Sequence, residues 1–331
     1  MLYPIKFKPI YKEKIWGGQR MKSALLKDFS PLANCGESWE ISAMPGNISE
    51  VANGFLAGNG LDEIVEVYMG DLVGEAVYET YGNDFPLLIK WIDAADDLSV
   101  QVHPDDKLAK RRGLGRGKTE LWHVVDAEDG AGLYVGFKNG VDMEAYTEAL
   151  KNGTVDQLLQ FHQVHKGDTF FIPAGTVHSI GKGVLLCEIQ QASDTTYRIF
   201  DWNRKDSEGK SRELHTELAN DALCFENQEN FKLNVAPKLN ESAPLIRSPF
   251  FNINTLKFDR PLEKVYAAID SFVIYICLDG EIHFIYDGVE EILKKGETML
   301  KPAELTEMAL IPTKPSEILE VFVDEQRESL L

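Results

Sequence analysis

The stretch "HKGDTFFIPAGTVHSI", His165 to Ile180, decides the fold. A strand-like run, "DTFFI", ends at Pro-Ala-Gly, where proline fixes one backbone angle and glycine permits another, and His178 enters what reads as the next strand. Such a turn can aim an imidazole into a barrel. A faded copy, "KKGETMLKPAELTEMAL", begins at Lys294. Superposing Lys166-Gly167 on Lys295-Gly296 brings Thr169 onto Thr298 and Pro173 onto Pro302, but sets Glu304 against Gly175 and Glu307 against His178. The chain writes one phrase twice and keeps the histidine once.

Outward from this stretch, short alternating or apolar runs bounded by Gly, Pro and Asn favour an antiparallel β architecture. They include "PLLIKWIDA" (86 to 94), "LSVQVHP" (98 to 104), "TELWHVVDA" (119 to 127), "GLYVGF" (132 to 137) and "GVLLCEIQ" (183 to 190). Helical signals are local: "GVDMEAYTEALKNG" (140 to 153) with "TVDQLLQFH" after it reads as a short helical pair, and "GLDEIVEVY" (60 to 68) and "TELANDALCF" (216 to 225) as further helices. "VAPKLNESAPLIRSPF" (235 to 250) carries three prolines and reads as a passage between domains; beyond it lies a strand-rich tail with Asp-Gly hairpin signals at 279 and 287.

The length of 331 residues suggests two domains at about 150 residues each. The longest apolar run, "FVIYICL", is far short of the roughly 20 residues of a membrane helix, so a soluble protein is expected. The N-terminus interleaves lysines with apolar residues instead of showing a secretory core, and Cys35, Cys187, Cys224 and Cys277 are scattered without a CxxC pair. Both features point to free thiols in the cytoplasm. A net charge of -19 argues against nucleic acid or an anionic membrane as partner, while leaving room for a locally basic pocket.

Three further pieces carry polar side chains at strand spacing. In "LSVQVHPDD", alternation puts Leu98, Val100 and Val102 on one face and Ser99, Gln101 and His103 on the other. In "RGKTELWHV", Lys118, Glu120 and Trp122 share a face. Taken singly, each pattern also suits a solvated strand. Together with His178, however, His103 and Glu120 make two imidazoles and a carboxylate, a normal set for zinc, iron or manganese, with Gln101 as a neutral oxygen donor. "CEIQQASDTTYRIFDWNR" adds Glu188, Asp194 and Arg198, the last of which could bind an anion.

Gly167, Pro173, Gly175 and His178 fit the pattern G, five residues, P, one residue, G, two residues, H, which resembles the second signature motif of the cupin jelly roll. With "IWGG" (15 to 18), "GESWEIS" (36 to 42), "FPLLIKWIDAADDLSVQVHP", "GKTELWHV", "FIPAGTVHSIG" and "SDTTYRIFDW", the chain resembles the type I mannose-6-phosphate isomerases over roughly its first 205 residues. The family's long members carry a sizeable helical insertion. Here 140 to 162 has room for two short helices only, as in the compact bacterial form.

The resemblance implies a mainly β fold of two cupin-like jelly-roll domains with a few short helices: a metal-binding catalytic domain over 1 to 235, with its helical insertion near 140 to 162, and a metal-free β domain over 236 to 331. It places one zinc ion per chain on Gln101, His103, Glu120 and His178. It sets Arg198 near the reacting carbons, Glu188 and Asp194 as the acidic pair, Lys90 and Lys118 as pocket lysines, and Ser99 at the phosphate end, with Lys90 and Ser99 holding the phosphate. The implied reaction interconverts mannose 6-phosphate and fructose 6-phosphate through an enediol. Asp194, Glu188, His103 and Lys118 are all conceivable bases; Asp194 is favoured because a ligated histidine is a poor base, with Lys118 assisting ring opening. The alternatives are a metal cupin of another class, such as a dioxygenase, or a sugar-phosphate-binding cupin without turnover. The partner is a small hexose phosphate, and the oligomeric state is open, a monomer being compatible.

Overall fold

The computed structural model describes residues 1–205, 208–226 and 230–323. In it the repeated phrase folds the same way twice. Thr169–Ile172 and Thr298–Lys301 are strands, Gly167 and Gly296 ahead of them take φ of 92° and 82°, and the next strands, His178–Ile180 and Glu307–Pro312, open nine residues after the first ones do. The first copy links a seven-stranded antiparallel sheet to a five-stranded one, and the second links a five-stranded to a four-stranded one. The fold is mainly β and of cupin type, as expected.

The seven-stranded sheet runs, edge to edge, through Ile10–Lys12, Glu37–Ile41, Leu87–Ala94, Val184–Gln191, Glu120–Ala127, Thr169–Ile172 and Lys232–Leu233. Facing it are Tyr197–Phe200, Val100–Val102, His178–Ile180, Gly132–Phe137 and Leu159–Gln163. Trp122, Val124, Phe170, Ile172, Leu186 and Ile180 fill the space between the two sheets.

The outer face of the large sheet is buried as well. Leu87, Ile89, Trp91, Leu121, Leu185, Cys187 and Ile189 share one core with Ile253, Ile274, Ile276, Leu300, Leu319 and Val321 of the second five-stranded sheet, and with the helix Leu61–Val73. Burial on both faces explains why "PLLIKWIDA" and "GVLLCEIQ" are nearly continuous apolar runs. At about 1.5–3 kcal/mol for each large side chain buried, this shared core outweighs the exposed ion pairs, worth about 0–1 kcal/mol each.

Four expectations need correction. "TVDQLLQFH" is a single 3-10 turn, Val155–Leu158, and then the strand Leu159–Gln163, because its residues pair with Gly132–Phe137 and so form the edge of the small sheet. The helix in "TELANDALCF" stops after Thr216–Asn220. Part of the proline-rich passage, Ala243–Arg247, is an edge strand paired with Asn252–Phe258. Asp279-Gly280 is a corner rather than a hairpin: Val273–Asp279 pairs within one sheet and Glu281–Tyr286 within the other. Asp287-Gly288 is the expected two-residue hairpin, with Tyr286 opposite Val289.

Candidate active site

Two rungs of paired residues build the site. On the small sheet, Arg198, Gln101 and His178 stand side by side on three neighbouring strands. On the large sheet, Trp39, Lys90, Glu188 and Trp122 do so on four, and Glu120 lies opposite Gln190 one step along. Pleating turns these side chains to one face of each sheet, so the polar groups of both rungs meet inside the barrel. Val100 and Val102 point the other way, packing with Tyr146 and Ala149 of the helix Met143–Asn152. Leu98 departs from the expected alternation: it precedes the regular strand and joins the interior cluster.

His103, Glu120 and His178 converge, all three essentially inaccessible to solvent. The two Nε2 atoms are 3.1 Å apart, and Glu120 oxygens lie 3.5 Å from His103 Nε2 and 3.4 Å from His178 Nε2. Each Nδ1 sits on a backbone carbonyl, Thr195 O at 2.9 Å for His103 and Thr176 O at 2.8 Å for His178. Those carbonyls require Nδ1 to carry the proton, which leaves two Nε2 lone pairs facing each other. Among the described residues neither buried Glu120 oxygen accepts a hydrogen bond, although Lys118 Nζ lies 3.1 Å from Oε2.

Left alone, this convergence of acceptors is unfavourable; a cation at its centre satisfies all of them. Ligand bonds of about 2.0–2.1 Å in a tetrahedron give edges of about 3.3 Å, close to the separations seen. The Gln101 amide supplies a further group 3.2 Å from His178 Nε2, and half a turn of it presents the oxygen instead of the nitrogen. The residues therefore fit a small divalent cation.

The surrounding electrostatics agree with that fit. Burial, with Lys118 nearby, holds His103 well below its usual value, and burial pushes His178 down to about 4, so both imidazoles are neutral and free to ligate. Burial likewise pushes Glu120 up, a cost that a bound cation offsets. Burial would also raise Glu188, but Lys90 and Lys118 outweigh it and hold the carboxylate down at about 2, with Trp122 Nε1 donating to Oε1 at 3.0 Å. Lys90, 3.1 Å from Glu188, is raised despite its burial by Glu188 and Glu37, and lies over the Trp39 ring.

A cavity of about 300 Å³ opens beside the cluster, at the lower end of the range for small-molecule sites. Lys90, Ser99, Gln101, Lys118, Glu188, Asp194 and Arg198 all line it, so every residue singled out in the sequence is either in the cluster or on this wall. Asp194 is exposed, and Arg198 Nε donates to Ser99 Oγ at 3.3 Å. The sequence reading passed over Lys14, Trp16, Glu37 and Arg212, which line the same cavity. Burial would raise Glu37, but Lys90 and Lys14 keep it below its usual value, and Trp39 Nε1 donates to it at 2.7 Å. The alternation of Glu37 and Trp39 in "GESWEIS" carried that signal; Arg212 had none.

A cupin-type barrel with a buried His-Glu-His cluster under a basic cavity defines an enzyme site. Residues 5–127 match the family description "Phosphomannose isomerase type I, catalytic domain". The chain is 36% identical over 313 residues to the mannose-6-phosphate isomerase ManA of Bacillus subtilis, covering 93% of this chain and 95% of that one. It is 35% identical over 308 residues to the mannose-6-phosphate isomerase of Streptococcus mutans, covering 91% and 93%. The crystal structure of the mannose 6-phosphate isomerase from Bacillus subtilis superposes with a TM-score of 0.84 at 30% identity, covering 96% of this chain and 99% of that one. The chain belongs to the type I phosphomannose isomerases, and it is an isomerase. The dioxygenase alternative falls with that membership.

Proposed function

We propose that the protein interconverts mannose 6-phosphate and fructose 6-phosphate through an enediol, with one zinc ion held by Gln101, His103, Glu120 and His178. The observation that carries this reading is the pair of imidazole Nε2 atoms, 3.1 Å apart, converging with the buried Glu120 carboxylate beside a basic cavity. Bound zinc supplies polarisation of the sugar's carbonyl and hydroxyl oxygens without redox chemistry. Glu188, doubly held by Lys90 and Trp122, is placed to orient its neighbours. Asp194, exposed on the cavity wall, is the carboxylate left to move the proton between adjacent carbons. Lys118 assists ring opening and adds positive field where the oxyanion develops. Lys90 and Ser99 contact the substrate.

In this reading residues 1–235 form the catalytic unit and 236–331 a companion barrel without metal. The cytoplasm is its compartment, in keeping with four free cysteines, of which Cys35, Cys187 and Cys277 are buried. Dialysis against a strong chelator is expected to abolish conversion of mannose 6-phosphate, and added zinc to restore it. Undiminished turnover in protein shown to be metal-free would sink the proposal.

A further inference from the structure

Five cationic side chains line the cavity, Lys14, Lys90, Lys118, Arg198 and Arg212, against three carboxylates, Glu37, Glu188 and Asp194. The lysines are matched one for one: Lys14 lies 3.3 Å from Glu37, Lys90 3.1 Å from Glu188 and Lys118 3.1 Å from Glu120. The arginines differ. Among the described residues Arg198 makes no ion pair; it donates to Ser99 Oγ at 3.3 Å and to the Glu213 carbonyl at 2.9 Å. Arg212 is braced by Asp201, a buried carboxylate that does not line the cavity, through Nε at 2.7 Å and Nη2 at 2.5 Å.

The backbone ties the two arginines together, since His215 N donates to the Arg198 carbonyl at 2.7 Å and so brings the segment carrying Arg212 back against the strand Tyr197–Phe200. After burial, the nearness of Arg212 is the largest influence lowering Arg198. Two guanidinium groups held on one wall repel each other, and a dianion between them converts that repulsion into charge-assisted hydrogen bonds from the donors that Asp201, Ser99 and Glu213 leave free.

We propose that Arg212 is a substrate-binding residue that, with Arg198 and Ser99, takes the phosphate of the hexose phosphate. The phosphate then lies against Arg198, the lining cation that makes no ion pair among the described residues, with Arg212 beside it, and Lys90 stays with Glu188 and Glu37. An overall charge of -19 is no obstacle, because the field is set locally.

The inference rests on the hexose-phosphate reading above, and inorganic phosphate tests it separately from turnover. Titrated into the metal-loaded full chain, phosphate is expected to bind Arg212→Gln about tenfold or more weakly than wild type, the loss of one charge-assisted pair. KM for mannose 6-phosphate is expected to rise by a similar factor while kcat changes far less. Should an unpaired Asp201 unfold that variant, Arg212→Gln combined with Asp201→Asn exchanges the ion pair for an amide pair and carries the same expectation. Phosphate affinity and KM unchanged in either folded variant would overturn the assignment. So would a fall in kcat with phosphate binding intact, which would make Arg212 a positioning residue. If the wild type fails to turn over mannose 6-phosphate, the isomerase substrate is wrong, and the phosphate titration still decides the role of Arg212.

Discussion

What a buried imidazole does depends on what its two nitrogens meet. In His103 and His178 one nitrogen is satisfied by a backbone carbonyl and the other is left for a cation. In His123, on the opposite face of the strand that begins at Glu120, Nδ1 lies 2.8 Å from Thr169 Oγ1 and the ring is simply enclosed. Burial, followed by Lys257, pushes His123 down to about 4 from an ordinary 6.5. Because the folded value is depressed, the unfolded chain binds more protons between those limits; this stability is complete above pH 6.5 and lost as pH falls towards 4. The loss amounts to something on the order of 3 kcal/mol. Chemical denaturation across this range should show wild type losing more stability than His123→Gln, and equal slopes would count against it. At this scale sequence was a good guide to strand residues, because alternation and motif spacing fix their faces. It was blind to Arg212, which reaches the cavity from irregular chain whose path depends on the ion pair with Asp201.

The elements show where local chemistry underdetermines structure. Asp279-Gly280 and Asp287-Gly288 look alike in sequence, yet one turns a corner between sheets and the other closes a hairpin. Nothing within four residues distinguishes them, because the choice lies in which distant strand offers a partner. Both glycines take positive φ, 103° at Gly280 and 77° at Gly288. A side chain at 288 would meet open space, whereas a Cβ at 280 would lie 2.7 Å from the Ser316 Cα and collide with its side chain. Gly288→Ala should therefore cost only the backbone term, about 1–2 kcal/mol. Gly280→Ala adds overpacking against the strand Ser316–Phe322, for a total of roughly 3–5 kcal/mol. Denaturant midpoints of the two variants measure this contrast directly, and similar losses would contradict the corner. The misread "TVDQLLQFH" has the same origin, its strand existing because Gly132–Phe137 has a free edge to fill.

At the scale of the whole molecule the repeated phrase acquires its reason. The two barrels stand with their larger sheets back to back, sharing one core, so the second barrel has a structural duty that needs no metal. Its interior is filled by Tyr275, Phe284, Met308 and Leu310, and Lys301, at the position of Ile172, spends its amine on the Pro302 and Leu305 carbonyls. The alignment of His178 with Glu307 hides a change of face. His178 and Ile180 point inward in the first barrel, whereas Met308 and Leu310 do so in the second, leaving Glu307 exposed. The backbone of the turns differs at Gly175, with φ of 87° where the copy has Glu304 outside the positive-φ region, and a one-residue offset reverses every side chain of a strand. Metal analysis of purified variants should follow this geometry rather than the alignment. His178→Ala is expected to lose both metal and isomerase activity. Glu307→Ala should keep both, with stability within about 0.5 kcal/mol of wild type as for other exposed sites. Glu307→His should gain no second ion, since its imidazole would face solvent with no carboxylate opposite; a second equivalent of metal in that variant would show that the copy retains a latent site.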